Sequence, residues 1–173
     1  MKAIWLAAAV VLVAPSAAAE VTDTAPHGFA VTQAATIAAP PARVWRTLLQ
    51  PRLWWDGGHT YSGDAANLSI DLEAGCFCER LPNGQVRHMT VVYAEEARTL
   101  RLFGGLGPLQ QSGAAGALTV SLTPERAGTK VTLSYDVGGY ARGGLERWAA
   151  PVDGVLGAQL QGLKQAAETG AGG

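Results

Sequence analysis

Leu145–Glu168, LERWAAPVDGVLGAQLQGLKQAAE, is the stretch that decides the fold. Its apolar residues Leu145, Trp148, Val152, Val155, Leu156, Leu160 and Leu163 recur at helical spacing, which marks one buried face. Pro151 has no N–H to give a helix interior but suits a first turn. The pattern therefore predicts a short turn at Leu145–Ala149 and a long helix over Pro151–Glu168, followed by a frayed tail at residues 170–173. Upstream the period is two. Leu118, Val120 and Leu122 alternate with Thr119, Ser121 and Thr123, and Val131, Leu133, Tyr135 and Val137 with Thr132, Ser134 and Asp136. One-sided alternation is the mark of an antiparallel sheet with one wet face.

Further strands are predicted at Phe29–Ile37, Asn67–Leu72, Cys76–Leu81, Val86–Tyr93 and around Leu100–Leu102. Between the first two, Pro41 opens a short helix running to about Gln50, and Arg52–Asp56 adds one more turn. Gly104–Gly116 is a glycine-punctuated connector. The class is α+β. A sheet with one apolar face must be covered, and the last helix is the only amphipathic element long enough to cover it. A twisted sheet wrapped round one helix leaves space between them, so a cavity is expected before any residue has a role.

The first residues read as a leader. Lys2 supplies charge, Ile4–Val13 is an unbroken apolar run, and Ala17-Ala18-Ala19 has the small-x-small form of a cleavage site. Residues 1–19 are thus expected to be a secretory signal peptide, cut between Ala19 and Glu20, with a disordered lead at 20–27 and one domain at 28–169. The expected location is the periplasm or the exterior, with no membrane span in the mature chain. A net charge of −1 with scattered basic residues argues against nucleic acid.

The residues that carry a family likeness run from Ile37-Ala38-Ala39-Pro40-Pro41-Ala42-Arg43-Val44-Trp45 through Leu53-Trp54-Trp55. They continue in Gly75-Cys76-Phe77-Cys78-Glu79, the strand entry Gly128-Thr129-Lys130-Val131-Thr132-Leu133, and the helix ending near Leu163-Lys164. The chain resembles the SRPBCC, START-like superfamily, and more narrowly its bacterial polyketide cyclase/dehydrase and heat-shock-protein activator homologues. The resemblance implies a helix-grip fold: a curved antiparallel sheet of about six or seven strands around a long C-terminal helix, with two short helices after the first strand. It also implies a small apolar, aromatic or lipid-like ligand, and no cofactor. Only some members of the superfamily are enzymes. Activator members act on a cytosolic chaperone, a role that a secreted chain would not share.

Within this frame the sharpest pairing is Glu79 with His88. Pro82-Asn83-Gly84-Gln85 has the Asn-Gly of a type I′ hairpin turn, which would set Glu79 directly opposite His88 and Arg80 opposite Arg87 on the outer face. Phe77, Leu81, Val86 and Val92 would share the inner face with the pair. The pair can be a satisfied ion pair, a polar anchor for a ligand, or a general acid/base of cyclase or dehydratase type. Trp54, Trp55, His59 and Tyr61 are expected to overhang a cavity mouth, as core, as a gate, or as a surface that docks a partner protein. Tyr135 is expected to point its hydroxyl into the pocket, and Val155 to line it from the helix. The three histidines lack metal-ligand spacing, so no metal is expected. Cys76 and Cys78 leave the same strand face roughly 6.5 Å apart, near the upper limit for a bridge; metal ligation and a bond to a second chain are alternatives, and two free thiols are the preferred reading.

Overall fold

The computed structural model describes residues 18–170. All but the last two residues of the leader lie outside them, as do residues 171–173 of the tail. The elements are β1 (Ala18–Ala25), β2 (Gly28–Ile37), α1 (Pro41–Leu48), β3 (Leu68–Asp71), β4 (Cys76–Leu81), β5 (Gly84–Glu95), β6 (Thr99–Gly104), β7 (Gly113–Glu125), β8 (Gly128–Tyr140) and α2 (Ala149–Thr169). Single 3-10 turns occupy Pro51–Leu53, Gly57–His59, Ala65–Asn67 and Glu146–Trp148, and a longer one Gly107–Gln111.

The strands form one eight-stranded antiparallel sheet in the order β1-β2-β8-β7-β6-β5-β4-β3. The alternation holds through β7 and β8, where Leu118, Val120, Leu122, Val131, Leu133, Tyr135 and Val137 are all buried. Helix α2 lies on this face, and Leu156, Leu160 and Leu163 enter the core. Pro151 falls in the first turn of α2, which begins two residues earlier than expected. Buried Gln33 on β2 donates to the carbonyl of Asp153 at 3.2 Å and to its carboxylate at 2.6 Å. At the other end of α2, Lys164 donates to the carbonyl of Thr36 at 2.7 Å. Gly162 lets Pro51–Trp55 lie against the helix, because a Cβ at that position would strike the Trp54 carbonyl. The helix-grip arrangement is therefore present.

Several expectations are corrected. Glu20–His27 is not a structureless lead: most of it is β1, paired antiparallel with β2 through Ala25 opposite Gly28. β1 covers the edge that β2 would otherwise leave unpaired, and Val21 packs against the core. The sheet accordingly has eight strands, not six or seven.

The hairpin register also differs. Leu81 pairs with Gly84 and Glu79 with Val86, so Pro82 and Asn83 are the central turn residues. Neither Asn83 nor Gly84 has the positive φ of a type I′ turn. Pro82 presets its position for an ordinary turn, with Gly84 closing it. Arg80 faces Gln85, and Arg87 faces Cys78. A second irregularity leaves Val92 without a partner between Val91 and Tyr93, and 55% exposed, so it is not an inner residue. Leu72 lies beyond the end of β3 and is 40% exposed.

Cys76 and Cys78 are bonded to each other, with Cα atoms 5.4 Å apart. The preferred reading of free thiols assumed a regular strand. The ladder instead shifts register between Phe77 and Cys78, where His88 is the extra residue on β5. A bulge twists the strands locally, and here the two α-carbons lie closer than the regular strand rise allows.

Candidate functional site

The core is closed over most of its length and open at one end. Around Leu160 and Leu163, against Leu118, Val120 and Leu133, lies a void of about 20 Å³, smaller than a single water's share of liquid volume. At the N-terminal end of α2 lies a cavity of about 460 Å³, within the range of small-molecule sites. The helix contributes Val152, Val155 and Leu156 to its wall, and the turn before it Trp148. Leu106, Pro108 and Leu109 form a second side, and Trp55, His59 and Tyr61 a third. His88 reaches it from the sheet.

The Trp55–Tyr61 side is held by local chemistry. The Asp56 carboxylate accepts the N–H of Gly58 at 2.8 Å, and the Thr60 hydroxyl donates to the Gly57 carbonyl at 2.7 Å. Gln159, buried inside α2, accepts the N–H of Asp56 at 2.8 Å, and its amide nitrogen lies 2.9 Å from Nδ1 of His59. An amide nitrogen only donates, so Nδ1 of His59 accepts and its proton sits on Nε2. Trp54 donates to the Thr47 carbonyl and Trp55 to that of His59. Both indoles are half-buried against the core with their N–H groups engaged. The rings of Trp54, Trp55, Phe77 and His88 follow one another at centroid spacings of 5.4, 5.3 and 5.0 Å. The Tyr61 hydroxyl crosses the mouth and donates to the Gly107 carbonyl at 3.0 Å.

Glu79 and His88 do meet, by a route other than direct opposition. His88 is diagonal to Glu79 and sits at the bulge, and diagonal neighbours are within reach of long side chains. Nε2 of His88 is 2.9 Å from Oε2 of Glu79. Glu79 is 1% exposed and also accepts the N–H of Tyr61 at 3.0 Å and that of Ser62 at 2.5 Å. Burial pushes its carboxyl up, but Ser62, the Tyr61 N–H and His88 together hold it below the ordinary glutamate value. Burial lowers the His88 imidazole, and the bond to Glu79 only partly opposes this. The pair is a carboxylate beside a neutral imidazole.

Of the expected site residues, Trp55, His59, Tyr61, His88 and Val155 line the cavity. Glu79 stands behind His88, while Phe77 and Trp54 border the small inner void. The Tyr135 hydroxyl does not enter the cavity wall: it donates to the Gly104 carbonyl at 2.9 Å and receives the Leu106 N–H at 3.3 Å, which fixes the segment that forms the wall. Sequence reasoning missed Leu106, Leu109, Trp148 and Gln159. The first two sit in the connector with no periodicity to read. Gln159 had a legible signal, a polar residue between Leu156 and Leu160 on the buried face.

Fold and cavity define a helix-grip protein with one apolar chamber. The chain belongs to the polyketide cyclase/dehydrase and lipid transport family, whose model matches residues 28–168. Among solved structures it is similar to the Mll3558 protein of Rhizobium loti, with 22% identity, 80% of this chain and 96% of that one covered, and a TM-score of 0.60. A protein of Rhizobium leguminosarum gives 18%, 90%, 99% and 0.59 for the same quantities. The Aha1 dimer of Colwellia psychrerythraea gives 16%, 82%, 97% and 0.55. At these identities the likeness is one of fold. No curated protein matches the chain in sequence. No helix among the described residues is long and apolar enough to cross a membrane.

Proposed function

We propose that this chain is an exported binding protein that holds a small apolar molecule, aromatic or lipid-like, in the chamber at the start of α2. The observation that carries this reading is a largely apolar cavity of about 460 Å³ in a molecule whose other half is closed. The family description, lipid transport beside cyclisation, is in keeping with it. Export is supported by the Lys2, Ile4–Val13 and Ala17–Ala19 pattern, and by a Cys76–Cys78 bond of the kind that persists in oxidising compartments. Mass spectrometry of the periplasmic fraction is expected to find a chain beginning at Glu20. A full-length chain retained in the cytosol would refute export.

The binding test is thermal. At a hundredfold excess over its dissociation constant, a ligand stabilises the fold by about 2.7 kcal/mol. A panel of aromatic, terpenoid and fatty compounds is expected to contain molecules that raise Tm in the native protein and lose the effect in Val155→Trp, whose indole fills the chamber. A panel with no such compound would sink the reading.

One observation favours a second reading, an enzyme of cyclase or dehydratase type. A carboxylate that orients an imidazole whose ring borders a substrate-sized chamber is the arrangement of a base and its orienting group. In that case Glu79→Gln abolishes turnover of a bound substrate while binding survives. Full turnover in Glu79→Gln would remove the mechanism.

A further inference from the structure

We infer that the bound molecule carries a hydrogen-bond donor of its own, a hydroxyl or N–H on an apolar skeleton, and gives it to Nδ1 of His88. The inference rests on the reading of the chamber as a ligand site and names the class of ligand.

The geometry fixes the polarity of the ring. The Glu79 carboxylate already accepts two backbone N–H groups and faces Nε2 of His88 at 2.9 Å. A carboxylate only accepts, so the proton between them belongs to Nε2. The neutral ring then has a bare lone pair on Nδ1. That nitrogen has no hydrogen-bond partner among the described residues. Nor is it sealed in protein: among the described residues, the one enclosed side-chain nitrogen or oxygen without a partner is Nε1 of Trp148. The His88 side chain is 6% exposed, and the ring borders the chamber. Its open edge therefore faces the chamber.

An acceptor set in an apolar wall discriminates between guests. A hydroxyl or amine completes it. An ether or ketone brings a second acceptor against it and leaves both groups desolvated and unpaired, which is the costly outcome. A carboxylate does the same and adds its charge to the charge of Glu79 behind the ring. The selection works by the penalty on the wrong group as much as by the bond to the right one.

The test uses matched probes on the full mature protein: 2-naphthol, 2-methoxynaphthalene and 2-naphthoate, together with 1-decanol and decyl methyl ether. Calorimetric titration is expected to rank each alcohol at least about tenfold tighter than its ether, with naphthoate weakest. His88→Phe is expected to level the series. A measurement free of substitution runs beside it. Nitrogen NMR of the native protein is expected to report His88 protonated on Nε2, with the Nδ1 signal moving on addition of 2-naphthol and not of its methyl ether. Equal affinities across the series, abolished by Val155→Trp, overturn the donor rule and leave the binding reading standing. No binding by any probe overturns both.

Discussion

The two halves of the α2–sheet interface are built from the same pattern with different residue sizes. In the closed half, Leu160 and Leu163 meet Leu118, Val120 and Leu133, and only about 20 Å³ is left open. In the open half the helix offers the smaller Val152 and Val155, and Gly157, one residue past Leu156, faces Gln33 without a side chain of its own. The inward residues of β7 shrink in the same direction, from Leu122, Val120 and Leu118 to Gly116 and Ala114. The Tyr135 ring lies against Gly116, and the chamber opens beyond it, where no residue of β7 lines the wall. The Leu106–Gln111 segment and the Trp55–Tyr61 turn fold over the gap without filling it. The closed half is thus a direct contact of helix and sheet, whereas the chamber is walled largely by the two connecting segments and the start of α2.

The largest expected effects lie in the closed half. Leu160→Ala or Leu163→Ala is expected to destabilise by about 2–5 kcal/mol, since each leaves a void among close-packed neighbours. Val155→Ala borders space that is already open and is expected to cost about 1 kcal/mol or less. Denaturant titration of the three variants measures the contrast directly. Equal losses would mean that the open half is packed in solution.

The polar pair behind the open half gives the next effect. Glu79 titrates below its ordinary value of 4.5 in the fold, so its contribution is complete above that pH and is lost as pH falls through the folded value. His88 also titrates below its ordinary value of 6.5, because burial disfavours the charged ring. The unfolded chain therefore takes up that proton first, and stability falls as pH drops below 6.5 toward the folded value. The two groups act in the same direction, with losses that set in below 6.5 and below 4.5. Thermal melts from pH 8 to pH 3 are expected to show two falling limbs, and His88→Phe to remove the upper one. Glu79→Gln turns an acceptor of several N–H groups into a poorer one and is expected to cost about 1–3 kcal/mol. A flat profile between pH 7 and pH 5 in the native protein would mean that His88 is not held neutral.

Most of the fold was legible because period and burial agree. The strands β7 and β8 and the helix α2 follow from apolar spacing, and the start of α1 from the fitness of Pro41 for a first turn. What escaped was set by local geometry that spacing does not encode. The Glu79–His88 contact was expected from a turn that does not form; a bulge at His88 and the reach of two long side chains restored it. The same bulge region holds the Cys76–Cys78 bond, which a regular strand disfavours. The chamber wall at Leu106–Leu109 carries no repeat at all, since its position depends on a tether from a different strand.

The bond between the cysteines is expected to matter modestly. It spans two residues in sequence, and a loop that short restrains the unfolded chain little, for about 1.5 kcal/mol on the chain-entropy model. A Cys76→Ala/Cys78→Ala variant is therefore expected to fold and to lose about that much in denaturant titration. A loss of 4 kcal/mol or more would mean that the bond sets the bulge, and His88 with it.

A comparably small effect in stability is the most informative about the wall. Tyr135 is fully buried, and burial pushes its hydroxyl up to about 12, so it stays a protonated donor throughout any ordinary pH range. It holds the Gly104 carbonyl and the Leu106 N–H, the two backbone groups where β6 gives way to the chamber wall. Tyr135→Phe keeps the ring packed edge-on against Phe29, at a centroid distance of 6.4 Å, and removes only the tether. The expected cost is about 1 kcal/mol, the net worth of an ordinary hydrogen bond. If Leu106 and Leu109 form the wall as described, that small loss is accompanied by faster amide exchange confined to residues 104–111 and by weaker binding of every probe in the series. Unchanged exchange in that segment would mean that the wall stands without Tyr135, held by the Tyr61–Gly107 bond across the mouth.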